Sequence, residues 1–361
     1  MANLSQQETS EGAVAMTAAA PRFEGENAAA IAVSESAAAA VSSESAAAEA
    51  APRFEDALFR VPRKKGKFKV VDPPQPPLEG PVADTHAHLS MVDAPLVLAR
   101  SAFHQVDFIC CITDPTEDSA AVYAQLDGWV SAGRDIAQRL APASPFPKLR
   151  LALGVHPHNA KDYTPEVERQ MIQLMHDPRT AAVGEIGLDY HYDLSPREVQ
   201  VEVFARQLRL AKEAGLPVAL HIRQAHAQAL EVLDTEGADP ANTVLHCCSL
   251  SPEELAPWIE RGYQIAYGGA YTFKNSQPAR EASHGVPLAS MMTETDSPYM
   301  APVPLRGADC GPEFTVFTAA AMAEELGFAP GKAREGFLAQ LHSNATAFFD
   351  REPTLWQLMR R

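Results

Sequence analysis

Val82-Ala83-Asp84-Thr85-His86-Ala87-His88-Leu89 is the stretch on which the reading of this 361-residue chain turns. It reads as a short strand, and on a strand residues two apart share a side. Asp84, His86 and His88 therefore offer one carboxylate and two imidazoles to one spot. Imidazole suits zinc, iron, copper and nickel, while carboxylate brings in magnesium and manganese. Taken alone, a His-x-His pair at a strand end is equally well two ordinary polar residues. Its weight comes from similar strand ends further along.

Outward from this stretch, apolar β-rich runs alternate with helical patterns to the end of the chain. The runs cover 82–88, 106–114, 149–156, 182–189, 217–223, 243–248, 264–271 and 290–296. Helix start signals lie between them. Ser195-Pro196-Arg197-Glu198 offers an N-cap serine, a proline at the first helical position and a capping-box glutamate. Ser251-Pro252-Glu253-Glu254 repeats the device, and Thr164-Pro165 uses a threonine. Val199, Val203, Phe204, Leu208 and Leu210 then give the apolar stripe of a helix lying on a sheet. Strands alternating with helices imply a parallel sheet buried on both faces. Eight such units in about 250 residues is the size of an α/β (β/α)8 TIM barrel. A doubly wound open sheet is the runner-up, which periodicity alone leaves open.

In a barrel the chemistry sits where strands end and loops begin. Those ends carry His86 and His88 on the first strand, Glu185 on the fourth, His221 on the fifth, His246 on the sixth and Asp296 on the eighth. Singly, His221 or His246 reads as a satisfied, half-buried histidine. Glu185 is harder to dismiss, because it lies in the apolar strand Ala181-Ala182-Val183-Gly184-Glu185-Ile186-Gly187-Leu188. A bare carboxylate there costs several kcal/mol unless it is paired or bound to metal. Asp296, after Met291-Met292-Thr293-Glu294-Thr295, meets the same problem. One metal centre removes all of these penalties together.

Six ordered motifs then make a family recognisable. They are His86-x-His88, Gly154-Val155-His156-Pro157-His158, Gly184-Glu185-Ile186-Gly187-Leu188-Asp189-Tyr190, His221-x-Arg223, His246-Cys247-Cys248-Ser249 and Glu294-Thr295-Asp296-Ser297-Pro298-Tyr299. In this order the chain resembles the TatD family of metal-dependent hydrolases, from about Val82 to Asn344-Ala345-Thr346-Ala347-Phe348. The resemblance implies a TIM-type barrel, two divalent metals and hydrolysis of phosphodiesters, usually in DNA. It implies that His86, His88, Glu185 and Asp296 hold one metal, and that Glu185 bridges to a second completed by His221 and His246. Asp296 is then also placed to take a proton from the attacking water. Arg223, His156 and Lys274 are the candidates for contacting phosphate. Two divalent ions bring four positive charges, of which Glu185 and Asp296 neutralise two, so the site favours a phosphate. Such a pair lowers the pKa of bound water, and no nucleophilic Ser or Cys is required. Zinc, manganese and magnesium all remain open, with zinc favoured by four imidazoles.

Two departures bear on substrate choice. Cys247-Cys248-Ser249-Leu250 stands where the family commonly has an aromatic and a glycine, and Leu250 is expected to narrow the mouth or shift its loop. Arg306-Gly307-Ala308-Asp309-Cys310-Gly311-Pro312 lacks the usual Asn-Glu-Pro.

Formal net charge is −16, unevenly spread. Residues 1–60 hold nine acids and three bases (−6), and residues 61–72 hold five bases and one acid (+4), leaving −14 for residues 73–361. A DNA-binding domain usually shows a basic footprint, so this balance argues against tight, long duplex binding. An enzyme whose metals attract phosphate, acting at strand ends or on short oligonucleotides, is compatible with it. Residues 1–60 are rich in Ala, Ser and Glu, and poor in the large apolar side chains that offset ordering entropy, so a disordered extension is expected there. Its repeated Pro-Arg-Phe-Glu, at Pro21 and Pro52, reads as the chance product of a duplicated low-complexity stretch or as a protein-docking motif for an unknown partner. Residues 61–80 read as a basic and then Pro-rich linker, and residues 81–361 as the hydrolase domain. No secretory signal pattern or membrane-length apolar run is present. Five cysteines, two pairs of them vicinal, fit a reducing, cytoplasmic setting. Two other readings stand beside the nuclease: hydrolysis of an amide, ester or lactone on the same barrel, and a scaffold that recruits partners through its tail.

Overall fold

This computed structural model of the protein describes residues 53–359. Two short strands come first, β1 (Phe59–Arg63) and β2 (Lys67–Val71), paired as an antiparallel hairpin. Every one of the eight expected runs then overlaps a strand, with β5 and β6 starting one and two residues earlier than expected: β3 (Val82–Ala87), β4 (Val106–Thr113), β5 (Lys148–Leu153), β6 (Thr180–Asp189), β7 (Val218–Arg223), β8 (Thr243–Leu245), β9 (Gln264–Tyr267) and β10 (Met291–Thr293). Each of these pairs in parallel with the next, so spatial order follows chain order throughout. The last strand returns to the first. Thr293 Oγ1 donates to the Ala83 carbonyl at 2.8 Å, and Thr85 Oγ1 donates to the Thr293 carbonyl at 3.2 Å. Beyond them the Asp296 N–H donates to the His86 carbonyl and the His88 N–H to the Ser297 carbonyl, both at 2.8 Å. The sheet is a nearly closed barrel, which removes the doubly wound alternative.

Helices α1 (Ala94–Phe103), α2 (Ser119–Leu140), α3 (Pro165–Met175), α4 (Arg197–Ala214), α5 (His226–Glu236), α6 (Pro252–Arg261) and α7 (Gln277–Ser283) fill the successive crossovers. After β10 come α8 (Thr315–Glu325), α9 (Lys332–Phe349) and the short α10 (Leu355–Leu358). Two of the start signals act as expected: Thr164 caps α3, and Ser251 with Glu254 forms a capping box on α6. The third does not. Ser195 is buried one residue too early to cap α4, and its hydroxyl donates to the His158 carbonyl and accepts from the Lys161 N–H. It fastens the loop after β6 to the loop after β5 instead.

One apolar cluster takes at least one side chain from every barrel strand: Ala83, Phe108, Cys110, Ile112, Ala152, Ala182, Ala219, Val244, Ala266 and Met292. Residues from all eight strands can meet only inside the barrel, and the many alanines suit a narrow interior. Phe348 and Phe349 of α9 join this cluster. Asp350, which follows them, pairs with Lys148 and Arg150 at the start of β5 at 2.7 and 2.8 Å. Helix α9 thus plugs the end of the barrel at which the strands begin, and the other end is left for chemistry.

The segment expected to be a linker holds the β1–β2 hairpin. Phe59 and Val61 are buried: Phe59 stacks on His104 with ring centroids 3.9 Å apart and meets Phe317 edge-on at 4.8 Å. The charged run from Arg63 to Lys69 hides this alternation in the sequence. The Pro-rich lead that follows is tied down by Glu79, which accepts from Arg334 Nε at 2.6 Å and from the Gly331 N–H at 2.8 Å. The disorder expected over residues 1–60 does not extend to residues 53–60, where Phe54–Ala57 form a 3-10 turn that includes Phe54 and Glu55 of the second Pro-Arg-Phe-Glu and where Ala57 and Phe59 are buried. The rest of that expectation and the first copy of the repeat fall outside the described residues.

Candidate metal centre

Strand β6 positions the central carboxylate. Its backbone runs so close to β7 that a Cβ on Gly187, whose φ is +149°, would lie 2.0 Å from the His221 carbonyl oxygen. A Cβ on Gly184 would meet Ala219 Cβ at 2.7 Å. The two glycines bracket Glu185 and let it sit against β7, with its side chain buried. Its two oxygens face different neighbours. Oε1 lies 2.7 Å from His221 Nδ1 and 2.7 Å from His246 Nε2, whereas Oε2 lies 3.4 Å from His86 Nε2.

On the Oε2 side, Asp296 Oδ1 is 3.8 Å from His86 Nε2 and 3.5 Å from His88 Nε2. Both ring nitrogens of His86 are buried and, among the described residues, without a hydrogen-bond partner. Ligand atoms held about 2.1 Å from one tetrahedral ion are about 3.4 Å apart. These separations match the edges of a coordination shell rather than hydrogen bonds. His86, His88 and Asp296 therefore form a set whose ligand atoms fit a divalent cation, and Glu185 reaches it through His86, with which it and His246 form a second such set. On the Oε1 side the contacts are shorter, at hydrogen-bond length, so Glu185, His221 and His246 must open by several tenths of an ångström to receive a second ion.

Electrostatics follow from this crowding. Burial pushes the Glu185 carboxyl up, but His246, His86, His156 and His221 around it more than offset that and hold it well below the usual range. Asp296 is likewise lowered against its burial, chiefly by His88. Burial keeps His86 and His156 neutral. His246 and His221 are raised in spite of burial, because they face Glu185.

Groups not singled out in the sequence complete the rim. Asp189 accepts from His221 Nε2 at 3.2 Å, from His158 Nε2 at 2.8 Å and from the N–H groups of His191 and Tyr192. It thereby turns His221 Nδ1 toward Glu185. Glu294 Oε1 lies 3.2 Å from His246 Nδ1, off the hydrogen-bonding direction, and accepts from the Cys247 N–H. Asp114 accepts from the His156 N–H at 3.0 Å. The signal for Asp189 and Glu294 was present, since both are carboxylates within the quoted motifs, but only the fold shows which histidine each one meets.

The other expected residues divide. His156 Nδ1 accepts from the His158 N–H at 3.2 Å, so the ring proton sits on Nε2, which is 3.9 Å from Glu185 Oε1. It faces the cluster as a neutral donor. Arg223 is exposed at the end of β7, two residues after His221, with its guanidinium 4.8 Å from the Tyr192 ring centre. Lys274 is exposed on the loop after β9, and among the described residues no hydrogen bond or ion pair joins it to the cluster. Asp84 does not share the spot of His86 and His88. Register slips on both sides of it break the two-residue alternation, and it accepts instead from Thr295 Oγ1, Thr295 N–H and His86 N–H at 2.6, 2.9 and 3.1 Å. Leu250 does not narrow the mouth, since it is buried in the outer core. Asp296, Cys247 and Gln224 have φ of 60°, 48° and 54°, a concentration of left-handed backbone typical of functional rims.

Comparison with known proteins agrees with this geometry. The family model described as TatD related DNase matches residues 83–350. The uncharacterized metal-dependent hydrolase YabD of Bacillus subtilis is 31% identical over 247 residues, covering 67% of this chain and 89% of YabD. A 3'-5' ssDNA/RNA exonuclease TatD of Pantoea vagans is 36% identical over 171 residues, 47% of this chain and 65% of that protein. The crystal structure of YjjV, a TatD homologue from Escherichia coli K12, superposes with a TM-score of 0.63 at 28% identity, covering 75% of this chain and 98% of YjjV. With a matching fold, a matching order of motifs and carboxylates gathered among imidazoles at the barrel rim, this chain belongs to the TatD family of metal-dependent hydrolases.

Proposed function

We propose that this protein is a divalent-metal-dependent phosphodiesterase, a deoxyribonuclease that removes nucleotides from an end of single-stranded or short DNA. The observation that carries the reading is Glu185, whose Oε1 lies against His221 and His246 while its Oε2 faces His86. In this reading His86, His88, Glu185 and Asp296 hold one ion, and Glu185, His221 and His246 a second. Bound divalent ions supply charge neutralisation at the phosphate and a lowered pKa of the attacking water. The identity of the metal among zinc, manganese and magnesium is left to measurement. Asp296 is held ionised beside His88 and accepts the proton of the water. His156 Nε2–H donates to a non-bridging phosphate oxygen, a role that needs no charge on the ring. Arg223, exposed and two residues beyond His221, binds the next phosphate. Lys274 reaches the strand from the loop after β9.

The nucleic-acid substrate is supported by the relative named as an ssDNA/RNA exonuclease. It also fits the acidic barrel, which disfavours long duplex. The same reading puts the chain in a reducing, cytoplasmic compartment, supported by five cysteines without a disulfide. Among the described residues no helix is long and apolar enough to cross a membrane. The test is a metal-titrated assay on end-labelled single-stranded oligodeoxynucleotides. Stepwise loss of nucleotides from one end is expected, and a phosphorothioate block at that end must stop it. Internal cuts, or no cleavage with any of the three metals, would overturn the reading.

A further inference from the structure

The β1–β2 hairpin lies outside the matched family region, which begins at residue 83. Arg63, Lys64, Lys65, Lys67 and Lys69 put five cations within seven residues, and all five are exposed. Among the described residues none of their side chains has an ion-pair or hydrogen-bond partner. The pairings Arg63 with Lys67 and Pro62 with Phe68 bring both strands' side chains together on each face. One face carries buried Phe59 and Val61, which anchor the hairpin to the barrel's outer layer, and further along the same face exposed Lys69, Arg63 and Lys67. The opposite face turns Phe68 (60% exposed) and Val70 (51% exposed) outward, with the Arg60 guanidinium 5.8 Å from the Phe68 ring centre. An isolated exposed phenylalanine needs no explanation. One set in a ribbon of unpaired cations does, because like charges repel and nothing in the described residues offsets them.

We propose that this hairpin is a docking surface for single-stranded nucleic acid. Unpaired cations along the turn and one side of a two-stranded ribbon, with an exposed aromatic ring for a base to stack on at its other side, offer a strand wrapping the ribbon both contacts that hold single strands without reading sequence. The occupant follows from charge complementarity. Residues 73–361 carry −14 and repel a polyanion, so retention of a strand needs a cationic foothold away from the metal centre. The choice of a nucleic-acid occupant rests on the nuclease reading above.

The test uses the full chain in EDTA, so that the probe is not cut, with binding of a fluorescein-labelled oligothymidylate followed by anisotropy. Wild type is compared with K64Q/K65Q/K67Q/K69Q and with F68A, all at exposed positions. The quadruple variant is expected to bind at least tenfold more weakly, and the slope of log K against log salt to shrink by about 3. F68A is expected to lose about tenfold in affinity with the slope unchanged. Should the quadruple variant fail to fold by circular dichroism, F68A alone decides. Equal affinity and slope in the variants would overturn the proposal. Hairpin-dependent sedimentation with phosphatidylserine vesicles, in place of oligothymidylate binding, would overturn it in favour of a lipid surface. Turnover of bis(4-nitrophenyl) phosphate in added metal separates the two readings. Hairpin-dependent binding without any phosphodiester hydrolysis would sink the nuclease reading alone, and DNA cleavage with hairpin-independent binding would sink the docking surface alone.

Discussion

Under the proposed function Glu185 is the residue on which the chemistry depends, and replacing it tests more than charge. Glu185→Ala removes a donor from both sets at once, so turnover is expected to vanish and bound metal to fall, measured by activity and elemental analysis of the same sample. Near-native rates with full metal content would contradict the bridging role. Asp189 acts one step further out, holding His221 by its Nε2–H. Carboxylates in that position typically contribute about 10–100-fold to metal affinity. Asp189→Ala is therefore expected to weaken the second equivalent of metal by about that factor in a chelator competition, and Asp189→Asn, which keeps an acceptor, by less. Equal affinities in all three proteins would show that His221 needs no such partner. Arg223→Ala is expected to lower kcat/KM on oligonucleotides by about tenfold or more, the worth of a hydrogen bond to a charged group, at unchanged metal content. The six ligand candidates were legible as residue types at strand ends, because a buried carboxylate in an apolar strand demands a partner. Asp84 was misread, because a slip in register is invisible to a two-residue period.

Strands were easier to read than their surroundings. All eight barrel strands announce themselves as short apolar runs, and even the three-residue β8 and β10 are bracketed by their motifs. The hairpin was missed because charged residues occupy most of its exposed positions and only Phe59 and Val61 report its buried face. Ser195 looked like a helix cap because its neighbours fit the capping pattern, yet a tertiary contact to His158 claims its hydroxyl. Two predictions belong to this scale. Gly187→Ala drives a methyl into the His221 carbonyl, and is expected to destabilise the fold by about 2 kcal/mol or more in urea unfolding. A stability equal to wild type would mean that β6 and β7 separate freely. The strap from Glu79 to Arg334 makes a pH-dependent contribution. Arg334 lowers the Glu79 carboxyl to about 2, below its unfolded value of about 4.3. A depressed carboxyl stabilises the fold fully above its unfolded pKa and loses that contribution as pH falls toward the folded one. Glu79→Gln is thus expected to lower Tm at neutral pH, with the gap to wild type closing between about pH 4.3 and 2. A gap independent of pH would remove the ion pair from the explanation.

For the whole molecule, the barrel explains why residues as far apart as His86 and Asp296 meet. Eight parallel neighbours in chain order bring the last strand back to the first, and Thr85 and Thr293 stitch that seam. That closure was legible from the count of strand–helix units, whereas the partners of each side chain at the rim were not, since they depend on register and loop path. The uneven charge was legible too: an acidic barrel with a basic hairpin is what the proposed nuclease and its proposed docking surface call for. The central claim is that Glu185 joins two metal ions into one hydrolytic site for phosphodiesters. The most direct measurement is elemental analysis of the purified full chain, titrated with metal while single-strand cleavage is followed in the same samples. The account predicts activity that rises with the second equivalent and saturates near two per chain. Full activity at one equivalent, or two equivalents bound with no cleavage of any phosphodiester, would contradict it.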